Sequence, residues 1–211
     1  MRRAGSASWS IRVDDHDQHL EWALWIRAAE RIPVHARAAV TGPADIDPPP
    51  EPSLASGEPL ADSWLWWWRT SLERLQSTRP PAAGDMAAVM ATLNAFGPPD
   101  FAVLADHPAL RDVVAARWSE ANAWHSARKG TVVEALRALR DGGTGVEGAT
   151  VRAVERELGH VAAPFTLRII VLPVLDDQIR DAGELTYLVP QRMRATNAYQ
   201  EWLHQVVRTL A

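Results

Sequence analysis

With 211 residues, of which 47% are apolar and 23% charged, the sequence predicts one folded globular domain rather than a disordered chain. A formal charge of −4 argues against general nucleic-acid binding, and the absence of cysteine excludes disulfides, thiolate nucleophiles and cysteine-ligated metals. No apolar run approaches the roughly 20 residues that cross a bilayer, and the N-terminus lacks a signal-peptide pattern. We therefore expect a soluble bacterial protein of the cytoplasm with no membrane partner.

The chain is predicted to begin with a short strand and a helix that is apolar on almost every side. Residues 9–13 alternate apolar and polar, and Asp14 or Asp15 is placed to cap the helix that follows. That helix, predicted over about 16–31, is apolar around most of its circumference, which indicates burial on more than one side. Its remaining polar strip consists of Glu21, Arg27 and Arg31.

A Pro-rich stretch over about 33–59 follows, centred on the run 45–52. It has no hydrophobic periodicity and is predicted to run extended, partly as polyproline II. A segment of this length without secondary structure is typical of a linker or a surface arm. We expect it to be an arm attached to the single domain that spans residues 1–211.

The ten tryptophans are the most unusual feature of the composition, because an average domain of this size carries about a quarter of that number. Four of them lie between residues 64 and 68, in a helix predicted over about 59–76. One face of this helix carries Leu60, Trp64, Leu65, Trp67, Trp68, Leu72 and Leu75. Core packing therefore explains three indoles, whereas Trp66 points to the opposite side and needs a second partner.

The middle of the chain is predicted to be helical. The patterns indicate helices over about 85–95, 108–129, 132–140 and 151–158. Gly130 is predicted to separate the second of these helices from the third, and the glycine-rich residues 141–145 are predicted to form a turn. Gly159 stands where a helix C-cap is expected.

Two strands and a final helix are predicted near the C-terminus. Residues 165–175 form a buried strand, 185–189 a return strand after a turn at 181–183, and 198–210 an amphipathic helix. The fold class is therefore α+β, a predominantly helical domain with a sheet of about three strands. The N-terminal strand and a C-terminal hairpin are expected to form that sheet.

Acidic pairs follow two of the predicted strands. Asp14 and Asp15 follow the first, with His19 four residues after Asp15, and Asp176 and Asp177 follow the second. If these strands are parallel neighbours, the pairs meet at one sheet edge, where carboxylates and an imidazole suit a divalent metal. The alternative is that these aspartates are ordinary helix caps and turn residues.

A second candidate site lies on the helix predicted over 108–129. His125, Arg128 and Arg117 fall on or beside its apolar face, where a charged group needs a partner. They are suited to bind an anionic ligand or to pair with a carboxylate such as Asp177 or Asp181. Alternatively, the arginines complement the helix dipole and extend to water, and His125 is a core residue.

The leading hypothesis for function is a non-catalytic protein–protein interaction or adaptor module without a cofactor. Trp and Arg are enriched at binding hot spots, and the predicted contact residues for a protein partner, or for a second copy in a homo-oligomer, are Trp66, Arg69, Trp124, His125 and Arg128. The alternative is a metal-dependent hydrolase or nuclease that uses the strand-end aspartates. A small-ligand pocket around Trp118, Trp124, His125 and Arg128 is a third hypothesis.

Overall fold

The structure is a computed structural model that describes residues 8–53, 60–76, 94–139 and 145–211, including every side chain of these except 130–139. Most of the helix predicted over 85–95, the turn at 141–144 and the end of the Pro-rich stretch at 54–59 lie outside the described residues. The described elements in chain order are β1 (Ser10–Asp14), α1 (Gln18–Ala29), α2 (Ala61–Gln76), α3 (Pro108–Leu139), α4 (Val146–Leu158), β2 (Thr166–Leu172), β3 (Arg180–Gly183), β4 (Thr186–Pro190) and α5 (Asn197–Leu210).

The predicted α+β class is confirmed, with a sheet of four strands instead of about three, in the order β1-β2-β4-β3. β1, β2 and β4 are parallel, and β3 is antiparallel to β4. The predicted hairpin between the strand at 165–175 and the strand at 185–189 is therefore wrong, since β3 and β4 form the hairpin and residues 181–183 belong to β3. The chain does not turn back directly after β2: residues 173–175 contact the Pro-rich segment, where Asp45 N donates to Pro173 O at 2.8 Å, and β3 then precedes β4.

The sheet lies between two helical layers, so the described chain has a core on each side of it. Ile170, Leu172 and Leu188 pack in the core with α1, α2 and α3. Leu167, Ile169, Val171 and Val189 pack in the other core with α4 and α5. Adjacent β2 side chains alternate between the two cores, and this explains why the sequence of β2 is a continuous apolar run.

Helix boundaries follow local signals, with two differences from the prediction. Asp17, rather than Asp14 or Asp15, caps α1, since its carboxylate accepts from Leu20 N at 3.0 Å. Gly159 ends α4 in the left-handed conformation, as predicted. α3 runs unbroken from Pro108 to Leu139 through Gly130, because an interior glycine costs a helix only about 1 kcal/mol. Among the described residues, no helix combines the length and apolarity needed to cross a bilayer.

The tryptophans of α2 divide as the helical pattern predicts. Trp64, Trp67 and Trp68 are buried, whereas Trp66 is 38% exposed. The indole of Trp64 donates to Ala23 O of α1 at 2.6 Å and lies parallel to the ring of Trp68, with 5.4 Å between the ring centroids. Three indoles therefore join α2 to the core.

The described part of the Pro-rich segment, residues 33–53, packs against α1 and the end of β2. The buried guanidinium of Arg27 donates to Thr41 O at 2.7 Å and also to Val34 O. At the other end of the segment, the carboxylate of Glu30 accepts from Ser53 N at 2.9 Å and from Arg117 Nε of α3 at 2.7 Å. Arg27, which was predicted on the polar strip of α1, and Glu30, which was not, thus hold this segment in place.

Candidate functional site

Three parallel strands bring several loops to one edge of the sheet. β1 is followed by His16 and by α1 on one face, and β4 is followed by Gln191 and by α5 on the opposite face. In open sheets with parallel strands, a crevice forms at the carboxyl edge where successive connections go to opposite faces. The polar side chains at this edge are therefore the first place to look for a binding site.

Glu21 is the centre of a buried polar cluster at this edge. Its side chain is 0% exposed, and its Oε2 lies 2.7 Å from His125 Nδ1 of α3. The other carboxylate oxygen, Oε1, lies 3.2 Å from His16 Nδ1 and 3.4 Å from Arg128 Nη2. One carboxylate thus joins two imidazoles and a guanidinium from two other parts of the chain, α3 and the loop after β1.

The charge state of the cluster follows from these contacts. Burial by itself would raise the pKa of Glu21, but the hydrogen bonds to His125 and His16, together with Arg128, outweigh it and lower the pKa to about 2. Glu21 is therefore ionised at neutral pH and orients both imidazoles by their Nδ1 atoms. The Nε2 atoms face away from Glu21 and are the atoms through which either histidine would reach a ligand.

Arg128 extends the cluster to the loop after β4. Its Nη2 donates to Gln191 Oε1 at 2.8 Å, and its guanidinium lies over the ring of Trp124 at 5.2 Å. The structure thus brings together Trp124, His125 and Arg128 from the predicted contact residues, and their carboxylate partner is Glu21 instead of Asp177 or Asp181.

Two nitrogen atoms of this cluster, His16 Nε2 and Arg128 Nε, are buried without a hydrogen-bond partner among the described residues. The same holds for Trp22 Nε1, whose ring lies 6.4 Å from that of His125, and for Nη1 of Arg168, which pairs with Asp14 through Nε at 3.4 Å. His16 also has a φ angle of 140°, which a residue with a side chain adopts only at a cost in backbone strain. Buried polar atoms without partners are rare in native structures, and strained residues concentrate at functional sites, so these two observations point to the same place.

The predicted aspartates lie at the same edge, and most of them are paired with arginine. Asp14 lies 2.6 Å from Arg12 and 3.4 Å from Arg168, and Asp15 lies 2.9 Å from Arg194. These pairs use carboxylate oxygens that a metal ion would need.

The second acidic pair is placed similarly. Asp176 Oδ2 accepts from Gly42 N at 2.6 Å and from Arg180 at 2.8 Å, while Asp177 is exposed. β1 and β2 are parallel neighbours, as the metal hypothesis required. In the described part of the chain, however, there is no group of three or more histidine and carboxylate side chains arranged to hold a metal ion.

His19, the predicted imidazole ligand, is buried between aromatic rings. Its ring centroid lies 4.6 Å from that of Phe96 and 5.4 Å from that of Trp22. Burial, with Arg74 as the second cause, lowers the pKa of His19 to about 4. His19 therefore remains neutral and packs as an aromatic residue.

This pKa predicts a specific loss of stability in mild acid. The pKa of His19 is about 4 in the folded chain against 6.5 when exposed, so its stabilising contribution is complete above pH 6.5 and is lost as the pH falls towards 4. Between pH 7 and pH 5 we expect this group to lower the free energy of unfolding by about 2 kcal/mol. Urea unfolding at pH 7 and pH 5 measures this decrease in the free energy of unfolding. In His19→Leu the decrease should be smaller than in the wild type by about 2 kcal/mol. In the control His160→Leu, which changes an exposed histidine, it should equal that of the wild type.

Trp66 and Arg69 lie apart from the Glu21 cluster. The indole of Trp66 packs on the ring of His107, with 4.5 Å between the ring centroids, and Arg69 is exposed. His107 precedes the first residue of α3, and His125 lies 18 residues after His107 on that helix, which corresponds to about 27 Å. The five predicted contact residues therefore form two separate groups.

Sequence reasoning missed Glu21, His16 and Arg168 as members of the site. Glu21 was predicted only as part of the polar strip of the first helix, His16 only as a member of the acidic, histidine-containing segment 14–19, and Arg168 was given no role. One signal was present: a charged residue on a helix that is apolar on nearly every side has to be buried, and it then needs a partner. Comparisons of the chain with protein-family models, with curated proteins and with solved structures gave no match.

Proposed function

We propose that this chain binds a small anionic ligand, bearing a phosphate or a carboxylate, at the carboxyl edge of β1, β2 and β4. The observation that carries the proposal is the set of three buried nitrogen atoms, on His16, Arg128 and Arg168, that have no partner in the described part of the chain. The ligand would lie against these atoms, with Gln191 and the Glu21 cluster as its support.

The chemistry of the three side chains favours an anion. A guanidinium has only N–H donors and stays charged at every accessible pH, so Arg128 Nε and Arg168 Nη1 can be satisfied only by acceptor atoms. Phosphate and carboxylate oxygens are acceptors, and they make stronger hydrogen bonds to arginine than neutral groups do. Among the described residues, the carboxylates of Asp14 and Glu21 are already within 3.4 Å of these arginines through other nitrogen atoms.

Thermal unfolding in phosphate tests this proposal. At a phosphate concentration of 100 times Kd, binding to the folded state adds about 2.7 kcal/mol, which corresponds to a rise in Tm of about 6 °C for a chain of this length. The reference is chloride at equal ionic strength. Because phosphate also stabilises proteins in general by exclusion from their surface, the comparison between variants is decisive.

Arg128→Gln and Lys129→Gln form a matched pair for that comparison. Both remove one positive charge from the same turn of α3, but Lys129 is exposed and Arg128 contacts Glu21 and Gln191. We expect Lys129→Gln to keep the phosphate-dependent rise in Tm and Arg128→Gln and His16→Gln to lose most of it. An equal rise in the wild type and in all three variants would show that phosphate acts only as a general stabiliser.

A second candidate function is protein binding through the exposed side of α2. Trp66 is a large side chain that is 38% exposed, and Arg69 lies one turn further along the helix. We propose a second copy of this chain as the partner, tested by sedimentation velocity between 1 and 100 µM protein. Trp66→Ala should abolish a concentration-dependent increase in sedimentation coefficient that the control Val161→Ala retains. A sedimentation coefficient independent of concentration in the wild type would contradict this candidate.

A further inference from the structure

An apolar groove of about 490 Å³ lies at the C-terminal end of α1, beside the described Pro-rich segment. Its floor contains the buried side chains of Ile32, Val34 and Ala44, and Leu175 stands at its lip, 48% exposed. The Glu21 cluster is near the other end of α1, so this groove is a separate feature. Its volume is within the range of about 300–1,000 Å³ that is typical of small-molecule sites.

The walls of the groove are held by hydrogen bonds that leave its interior apolar. Arg27 Nη1 donates to Thr41 O at 2.7 Å and to Gly42 O at 3.3 Å, and Leu175 N donates to Pro43 O at 3.0 Å. Residues 44 and 174 also form a β-bridge across one side. A groove whose walls are fixed in this way does not need to be ordered by its ligand, and this favours binding.

The ionisable residues that line the groove are all basic. Of the twelve described residues that line it, nine are apolar and three are basic, namely Arg27, Arg31 and His35, and none is acidic. Arg31 is 63% exposed in its side chain, and its nearest carboxylate, on the 92% exposed Glu51, is 3.7 Å away. Such an exposed ion pair is weak, so an incoming carboxylate can replace Glu51 at Arg31.

We propose that this groove binds a small amphipathic carboxylate, with its alkyl chain over Ile32, Val34 and Ala44 and its carboxylate at Arg31. The apolar floor favours the alkyl chain, because removing apolar surface from water is the main source of affinity in such a site. The basic residues favour a negative head group over a neutral or positive one. This inference does not depend on the proposed anion site at Glu21.

Isothermal titration calorimetry with three ligands of equal chain length tests the inference. The ligands are octanoate, 1-octanol and octylammonium, which have eight carbon atoms each and a negative, a neutral and a positive head group. We expect octanoate to bind tightest, and at least about tenfold more tightly than octylammonium. Equal affinity for octanoate and 1-octanol, or an absence of octanoate binding up to 10 mM, would overturn the proposal.

Two arginine variants locate the carboxylate. Arg31→Gln should weaken octanoate binding about fivefold and leave 1-octanol binding unchanged, because it removes only the charged contact. Arg37→Gln removes a charge from an exposed position of the same segment that does not line the groove, and it should bind octanoate like the wild type. An equal effect of both variants would show that only the net charge matters, and would overturn the assignment to Arg31.

Substitutions of Leu175, at the edge of the groove, and amide NMR spectra test where the alkyl chain binds. Leu175→Glu should weaken octanoate binding more than about tenfold through like-charge repulsion, whereas the neutral control Leu175→Gln should stay within about threefold of the wild type. In two-dimensional amide NMR spectra of the full chain, octanoate should shift the resonances of His35, Ala44 and Ile46. Unshifted resonances at these three positions would overturn the proposed place of binding.

Discussion

Glu21→Ala is expected to lower the free energy of unfolding by about 3–5 kcal/mol, more than any other single exchange of a charged residue discussed above. Glu21 is fully buried and contacts His125, His16 and Arg128, at 2.7, 3.2 and 3.4 Å. Removing the carboxylate leaves the partly buried guanidinium of Arg128 and two imidazoles without their common acceptor. Chemical unfolding at pH 7 measures the effect directly.

Glu21→Gln separates the charge from the hydrogen bonds. The amide keeps the size of the side chain and one acceptor oxygen, but it cannot accept from both histidines and Arg128 at once. We expect Glu21→Gln to lower the free energy of unfolding by more than about 1 kcal/mol, but by less than Glu21→Ala does. A matched control is Glu120→Gln, because Glu120 is an exposed carboxylate, also paired with an arginine, and its exchange should cost less than about 0.5 kcal/mol. A loss at Glu21 as small as that at Glu120 would contradict the account of the cluster.

The acid dependence of the same residue has a definite sign. The pKa of Glu21 is about 2 in the folded chain and 4.5 when exposed, so its contribution is complete above pH 4.5 and is lost as the pH falls through 2. The wild type should therefore lose its stability advantage over Glu21→Gln in this window. An advantage that disappears already between pH 7 and pH 5 would contradict this assignment to the carboxylate of Glu21.

Trp64→Ala is expected to destabilise the chain by about 3–5 kcal/mol, whereas Trp66→Ala, two residues away, should cost less than about 0.5 kcal/mol. The first exchange opens a cavity at a fully buried position and removes the hydrogen bond from the indole to Ala23 O. The second removes a side chain that is 38% exposed. Thermal unfolding of the two variants under one buffer condition provides the comparison.

Trp64→Phe shows how much of this loss comes from the hydrogen bond and the smaller ring. It keeps most of the apolar volume, but it removes the donor to Ala23 O and leaves that carbonyl without its indole partner. We expect a loss of about 1–3 kcal/mol, between the values for the wild type and for Trp64→Ala. A Trp66→Ala variant as unstable as Trp64→Ala would mean that the two indoles do not divide between core and surface.

Local patterns were sufficient to predict most elements and the burial of the tryptophans. The period of α2 separated Trp66 from its neighbours, and the apolar run of β2 indicated a strand covered on both faces. Each of these predictions depends on residues close together in the chain. Strand pairing does not, because β4 pairs in parallel with β2 and is joined in sequence to the antiparallel β3, and no local pattern indicates which strands become neighbours.

In the candidate site too, features that depend on nearby residues were predicted, and contacts between residues far apart in the sequence were not. His125 and Arg128 were predicted from one helix because their position beside its apolar face requires a partner. Their carboxylate partner, Glu21, lies 104 residues from His125 in sequence, and no spacing rule connects the two. Nothing in the sequence indicated the strained backbone of His16, since its φ angle is set by the turn between β1 and α1.

The order of the strands also determines when this protein can complete its fold. β1 pairs with β2 in a register that joins Ser10 to Thr166, so the first strand has to wait for more than 150 residues to be synthesised before it finds its neighbour. At about 5–20 residues per second, this delay on the ribosome is on the order of ten seconds. During that time α1 and α2 can pack through Trp64 and Ala23, but the face they present to Ile170 and Leu172 stays uncovered. The indole-rich surface that later becomes a core is thus an exposed apolar surface in the nascent chain, and a site for chaperone binding or misassembly until β2 emerges.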